Sequence, residues 1–153
     1  MIFYKMVVYL LYKSYISVYY SKNPLSENEE AESFENFFFW GKTILGDYDD
    51  IDKNLVDARK LYTTLSEEKE IDELFDFLDE NQKIVLLQYF NDFKKLYSGD
   101  SKLKDNFVKI WNCLFDIYSD FKKRLSDNSI AYGGMIYREL VERESNNRDL
   151  FGE

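Results

Sequence analysis

Six large apolar residues, Phe107, Trp111, Leu114, Tyr118, Phe121 and Leu125, recur at intervals of 4, 3, 4, 3 and 4. At about 3.6 residues per turn they form one stripe along a helix, whereas a strand would scatter them over both faces. The stripe predicts a helix from about Lys102 to Ser126, ended at Asp127-Asn128. It is too apolar on one side to stand alone, so the rest of the chain must cover it. The same period recurs elsewhere. Residues 3–21 read as a helix, with Val7, Leu10, Leu11, Tyr15 and Val18 apolar and Lys13, Ser14, Ser17 and Ser21 as a narrow polar side. A polar loop, Asn23 to Glu32, surrounds the lone Pro24. Ser33 is the expected N-cap of a helix from Phe34 to Leu45, with Gly46 as its end. Asp49 and Asp50 are expected to open a further helix carrying Ile51, Leu55, Ala58 and Tyr62, because carboxylates are stabilised at helix N-termini. Phe37 to Tyr62 thus reads as two helices joined at an acidic turn. A short segment from Ser66 through Phe77 follows, then a helix from the Asp79/Gln82 capping pair to about Tyr97, stopped by Gly99. A last helix starts near Tyr132 or Gly133 and carries Ile136, Leu140 and Val141. No run alternates with period 2. The expected fold is all-α, an irregular bundle of six to seven helices, with one domain over 1–144 and a polar, fraying tail over 145–153.

Composition narrows the function classes. A chain of 153 residues is one domain and buries about 70% of its unfolded surface. It contains no His, which excludes His–Cys dyads, Ser–His–Asp triads and the usual zinc sites. The single Cys113 excludes an intrachain disulfide and fits a reducing, cytoplasmic compartment. It lies in a helical apolar pattern and reads as a buried, inert thiol. The net charge of −9 argues against autonomous nucleic-acid binding. Lys122, Lys123 and Arg124 form a small basic group, with Arg138 and Arg143 beyond it offset by Glu139, Glu142 and Glu144. A solvated face is the ordinary reading, and a weak phosphate contact by Lys122, Lys123 and Arg124 is the functional one. Near the N-terminus, the apolar run from Met6 to Tyr12 is bracketed by Lys5 and Lys13, far short of the ~20 residues of a membrane span.

Three patterns imitate active sites. Gly41-Lys42-Thr43 ends like a P-loop, but Asn36 stands where that motif needs glycine, and Phe37, Phe38, Phe39 and Trp40 fill the would-be phosphate cradle. The run Asp47-Tyr48-Asp49-Asp50-Ile51-Asp52 fails as a calcium loop, because Ile51 and Asp52 replace the oxygen ligand and the glycine. Glu67-Glu68-Lys69 has the E-x-K string of some metal-dependent nucleases but no strand to align the ligands. No catalytic residue, cofactor or metal site is expected from the residues alone. Four consecutive aromatics cannot all face one core from a single helix, so Phe37, Phe38, Phe39 and Trp40 are the expected partner-facing surface.

Several stretches also resemble a known family when taken together. They are F-x-F-W-G-x-x-I-L-G-D-Y-D-D-I-D-K-x-L-V-D-A from Phe37 to Ala58, K-E-I-D from Lys69 to Asp72, and F-x-x-L from Phe75 to Leu78. W-x-x-L-x-x-I-Y-x-x-F from Trp111 to Phe121 and A-Y-x-G-M-I-Y-R from Ala131 to Arg138 follow. In this order they resemble a segment of Bacteroidetes proteins of the PD-(D/E)XK nuclease family. Those are similar to the AddB component of the AddAB-type ATP-dependent helicase/nuclease of double-strand-break repair. The likeness covers about residues 3–143. It implies a helical insertion comparable to domain 1B of superfamily 1 helicases, within the N-terminal helicase-like half of such a protein. The family's nuclease site and nucleotide-binding core would lie outside a segment of this extent, so no family catalytic residue maps here. Gly133 stands where the likeness would place an acidic residue, which is expected to loosen the start of the last helix. The implied partner is a flanking helicase/nuclease polypeptide, or a second copy of the chain, with DNA touched only weakly within the assembly. An independent helical protein–protein interaction domain is the alternative.

Overall fold

The computed structural model describes residues 2–64, 79–81, 84 and 109–151, and over these the chain is all-α, with no strand. Five helices are laid out among the described residues: α1 (Ile2–Lys22), α2 (Phe34–Lys53), α3 (Ala58–Thr64), α4 (Leu114–Asp127) and α5 (Gly133–Phe151). α1 packs against α4 and α2, α5 packs against α2, and α3 rests on α4. Among the described residues no helix is long and apolar enough to cross a membrane. The expected segments over 66–77 and 85–97, and the part of the long helix before Lys109, lie outside the described residues.

The apolar stripe that predicts α4 is the core. Leu114, Ile117, Phe121 and Leu125 are fully buried, together with Val8 and Leu11 of α1 and Phe37, Tyr48 and Ile51 of α2. Trp111 joins them at 4% exposure. The stripe is not one unbroken helix, however. A helical turn over 109–111 is followed by a turn at Asn112–Cys113, where the Cys113 N–H donates to the Ile110 carbonyl at 2.9 Å. Cys113 keeps right-handed α dihedrals (φ −101°, ψ −15°), so the interruption hardly rotates the stripe and the period survives it. Trp111→Ala is expected to cost about 3–5 kcal/mol in urea denaturation, through lost transfer free energy and the cavity left behind. Ser14, expected on the polar side of α1, is fully buried instead.

The two helices expected between Phe34 and Tyr62 are divided elsewhere. Ser33 caps α2 as expected, its Oγ accepting from the Asn36 N–H at 3.3 Å. Gly46 does not end that helix, which continues to Lys53. A mid-helix glycine costs only about 1 kcal/mol. Burying Ile44, Leu45, Tyr48 and Ile51 on one face outweighs that. Asp49 and Asp50 therefore lie in the last turns of α2, not at a helix start. The actual stop is at Asn54-Leu55. Leu55 adopts φ 55°, its N–H donates to the Asp52 carbonyl at 3.2 Å, and the Val56 N–H donates to the Ile51 carbonyl at 3.0 Å. This paired arrangement is the Schellman ending, with leucine where glycine is usual. α4 ends the same way at Ser129, also at φ 55°. Asp57 then opens α3, its Oδ1 accepting from the Lys60 N–H at 3.0 Å. α5 begins at Gly133 despite the two glycines there, and the expected fraying tail is helical through Phe151, supported by the Arg148–Glu144 pair at 3.7 Å.

Candidate functional site

Asp52, on the last turn of α2, has none of its surface exposed. Its register explains this: with Tyr48 and Ile51 it continues the buried stripe of α2, so its carboxylate must be paired where it lies. Oδ1 accepts from the Tyr118 hydroxyl and from Arg138 Nε at 2.6 Å, and Oδ2 accepts from the Tyr132 hydroxyl. Lys122 Nζ lies 3.3 Å from both oxygens and donates to the Tyr118 hydroxyl at 3.0 Å. Tyr118 and Lys122 are four residues apart on α4 and so share a face, with the ammonium 4.8 Å above the ring. Tyr132 immediately precedes α5 and Arg138 lies on its second turn. The guanidinium also donates through one terminal nitrogen to the Ile51 carbonyl at 3.0 Å and the Val56 carbonyl at 2.5 Å. It thereby satisfies the carbonyl end of α2, where the helix dipole favours a cation.

A second contact joins the same two helices. Asp49 Oδ1 accepts the Gly134 N–H at 2.6 Å, placing a carboxylate at the N-terminus of α5. A Cβ on Gly134 would overlap the Asp49 carbonyl oxygen and lie 2.9 Å from Asp49 Oδ1. Backbone cannot swing aside as a side chain does. Gly134→Ala is therefore expected to separate α2 from α5 and cost about 2–3 kcal/mol, measured by chemical denaturation. The same change at Gly46, where nothing lies within 4 Å, is the matched control.

Chemically this centre is a lock. Both oxygens of Asp52 are filled by donors, and a general base needs a free lone pair facing a substrate. Burial, reinforced by the Asp52 carboxylate, pushes the Tyr118 and Tyr132 phenols far above their usual range, so both remain protonated donors. Cys113 is buried as expected, and that burial pushes its thiol up, away from nucleophilic use.

The other candidates are dispersed. Successive positions rotate by about 100° on a helix, and this separates the aromatic quartet. Phe37 is fully buried, Phe38 and Trp40 are half-buried, and Phe39 alone stands out, at 76% exposure. The expected four-residue partner face is thus corrected to one exposed ring. Gly41 is a packing glycine: a Cβ there would overlap the Phe37 ring. Lys42 is exposed on the middle of α2, its Nζ 5.2 Å over the Phe38 ring. With Gly41-Lys42-Thr43 inside a continuous helix, its N–H groups serve that helix. Equilibrium dialysis with Mg-ATP is expected to show no binding at about 0.1 mM nucleotide, and no change in Lys42→Ala.

The basic group is also divided. Lys122 belongs to the Asp52 lock, Lys123 pairs with Asp127 at 2.9 Å, and Arg124 pairs with Asp120 at 2.6 Å. Arg143 pairs with Glu139, and Arg138 is held by Asp52 with Glu142 at 3.5 Å. The solvated reading fails for Lys122 and Arg138, because a buried carboxylate draws both inward. The Asp47–Asp52 run lies within α2, and no group of three or more metal-ligating side chains occurs among the described residues. Glu67-Glu68-Lys69 lies outside the described residues.

Fold and lock together define an all-α domain in which α2, α4 and α5 are fastened by one buried carboxylate. Comparison with known protein families, with curated proteins and with solved structures finds no match to this chain.

Proposed function

We propose that this chain is a non-catalytic helical module of an ATP-dependent DNA-repair helicase/nuclease assembly, acting in the cytoplasm in double-strand-break repair and recombination. The observation that carries the reading is where the two most distinctive sequence words meet. Asp47 to Lys53 and Ala131 to Arg138 are 78 or more residues apart, yet they form one centre through Asp49–Gly134, Asp52–Tyr132 and Asp52–Arg138. Residues that resemble a family because they fasten helices support a shared architecture and a scaffolding role, not a shared active site. Exposed apolar residues on α1 (Ile2, Phe3, Met6) and on α5 (Ile136, Tyr137, Leu140) supply surface for a neighbouring polypeptide or a second copy. Because the cations of α4 are tied to carboxylates, DNA contact by this chain alone is weak.

The test is co-expression with helicase-like polypeptides encoded beside it. A stoichiometric complex in sedimentation, with no ATPase or nuclease activity from this chain alone, is the expected result. A strictly monomeric chain that forms no such complex would favour the alternative, an independent helical protein–protein interaction domain. Submicromolar duplex DNA binding by fluorescence anisotropy, with a steep salt slope, would refute the weak-contact part of the reading.

A further inference from the structure

Where the end of α1, the 23–33 loop, the middle of α2 and the turn at 109–111 meet, they surround a cavity of about 540 Å³. Small-molecule sites span roughly 300–1,000 Å³. Four aromatic side chains line it. The rings of Tyr15 and Tyr19 stack at 5.2 Å with planes 24° apart. Trp40 stands at 90° to Tyr15 at 5.0 Å, and Tyr20 at 87° to Tyr19 at 5.0 Å. The lining therefore contains ring planes set at right angles to one another. Three carboxylates, Glu29, Glu30 and Glu32, line the same space against one lysine, the exposed Lys109.

Glu32 is built into the wall. Its Oε1 accepts from Trp40 Nε1 at 2.9 Å, its N–H donates to the Tyr20 hydroxyl at 2.9 Å, and its carbonyl accepts from the Tyr12 hydroxyl at 2.7 Å. The half-buried carboxylate is thus held beside Trp40 and Tyr20. The chemistry of this lining selects by charge and by size together. Anions meet three carboxylates. Neutral apolar molecules would desolvate Glu32 and bring no compensating charge. A small hard metal ion gains nothing from aromatic walls and needs oxygen ligands at about 2.0–2.6 Å around it. Tyr15 is buried and stacked on both Tyr19 and Phe37, so an organic cation gains from the partly exposed rings of Tyr19, Tyr20 and Trp40 and from the carboxylates.

We propose that this cavity binds a substituted ammonium or guanidinium group. This inference does not rest on the repair role. Two sources carry that chemistry, a free amine and a basic side chain. Choline probes the first and Nα-acetyl-arginine amide the second, while 3,3-dimethyl-1-butanol is the neutral shape mimic of choline. The chain has two tryptophans, so an ¹H–¹⁵N spectrum contains two indole signals, assigned with Trp40→Phe. Trp40 reports on the cavity, and Trp111, packed on Tyr62 in the core, is the internal control.

At least one of the two cations is expected to shift the Trp40 signal saturably, with the neutral mimic about tenfold weaker or more. Glu32→Gln should weaken binding by about tenfold. Because Glu32 also holds Trp40, the exposed Glu30→Gln is the second variant. It should lower affinity by about threefold with the spectrum otherwise intact. Three results would each overturn the proposal: no Trp40 shift by either cation up to roughly 20 mM, equal shifts by choline and its neutral mimic, or unchanged affinity in both variants.

Discussion

Asp52→Ala is expected to destabilise the chain by about 3–5 kcal/mol, among the largest effects of any single substitution. The reason is what it strands. Arg138, its side chain only 14% exposed, loses its carboxylate, and the hydroxyls of Tyr118 and Tyr132 lose their acceptor. Lys122, 24% exposed, can turn toward water and suffers least. Asp52→Asn tests geometry against charge. One amide oxygen can still accept, but the NH₂ must face a hydroxyl or an ammonium that also donates, so the loss should approach that of alanine. Replacing the pair together, Asp52→Leu with Arg138→Met, should recover part of the loss, because removing both ions also removes their desolvation cost. A double-mutant cycle by urea denaturation is expected to give a coupling of about 2 kcal/mol. An Asp52→Ala variant within about 1 kcal/mol of the parent would show that the buried carboxylate is not what fastens α2 to α4 and α5.

How much of this was legible in the sequence depends on the physics of each part. The apolar stripe from Trp111 to Leu125 announced the core because helical periodicity is local and survives a one-turn interruption. Ser33 was legible because a capping side chain acts within its own turn. Gly46 misled because a stop signal is only a propensity of about 1 kcal/mol, and tertiary burial overrode it. Leu55 gave no warning, since leucine is rarely found at positive φ. The lock was hidden for a different reason. Asp52 and Arg138 lie 86 residues apart, and sequence spacing carries no information about their meeting. One sign was present: Asp52 falls in register with Tyr48 and Ile51, and a carboxylate on a buried stripe demands a partner. Reading the acidic run as helix-start chemistry concealed it. The aromatic cavity was equally hidden, because Tyr15, Tyr19 and Tyr20 on α1 meet Trp40 only through the packing of α1 on α2.

Alkaline unfolding is the second large effect. Burial raises the phenols of Tyr15, Tyr48, Tyr118 and Tyr132 well above their ordinary range. Glu32 adds to the shift at Tyr15, neighbouring tyrosines add to it at Tyr48, and Asp52 does so at Tyr118 and Tyr132. In the unfolded chain each of these groups ionises near pH 10. Below that pH both states hold the proton and the stability is fully present. Above it the unfolded chain releases protons that the fold retains, so stability falls as pH rises toward the folded values. The slope approaches about 1.4 kcal/mol per pH unit for each group once the unfolded phenol is ionised and is half that at pH 10, so four groups remove roughly 4 kcal/mol between pH 10 and 11. That approaches the lower end of the whole stability of a small domain, about 5–15 kcal/mol. The chain has 13 tyrosines, and absorbance at 295 nm follows their ionisation. Tyr15, Tyr48, Tyr118 and Tyr132 should ionise in a steep step that coincides with loss of helical ellipticity. Tyr132→Phe should lower stability at neutral pH by removing a donor to Asp52, yet flatten the alkaline slope by about one group's share. A chain that stays helical to about pH 11.5 while all of its tyrosines titrate near pH 10 would contradict both the burial of these phenols and the lock that Tyr118 and Tyr132 close.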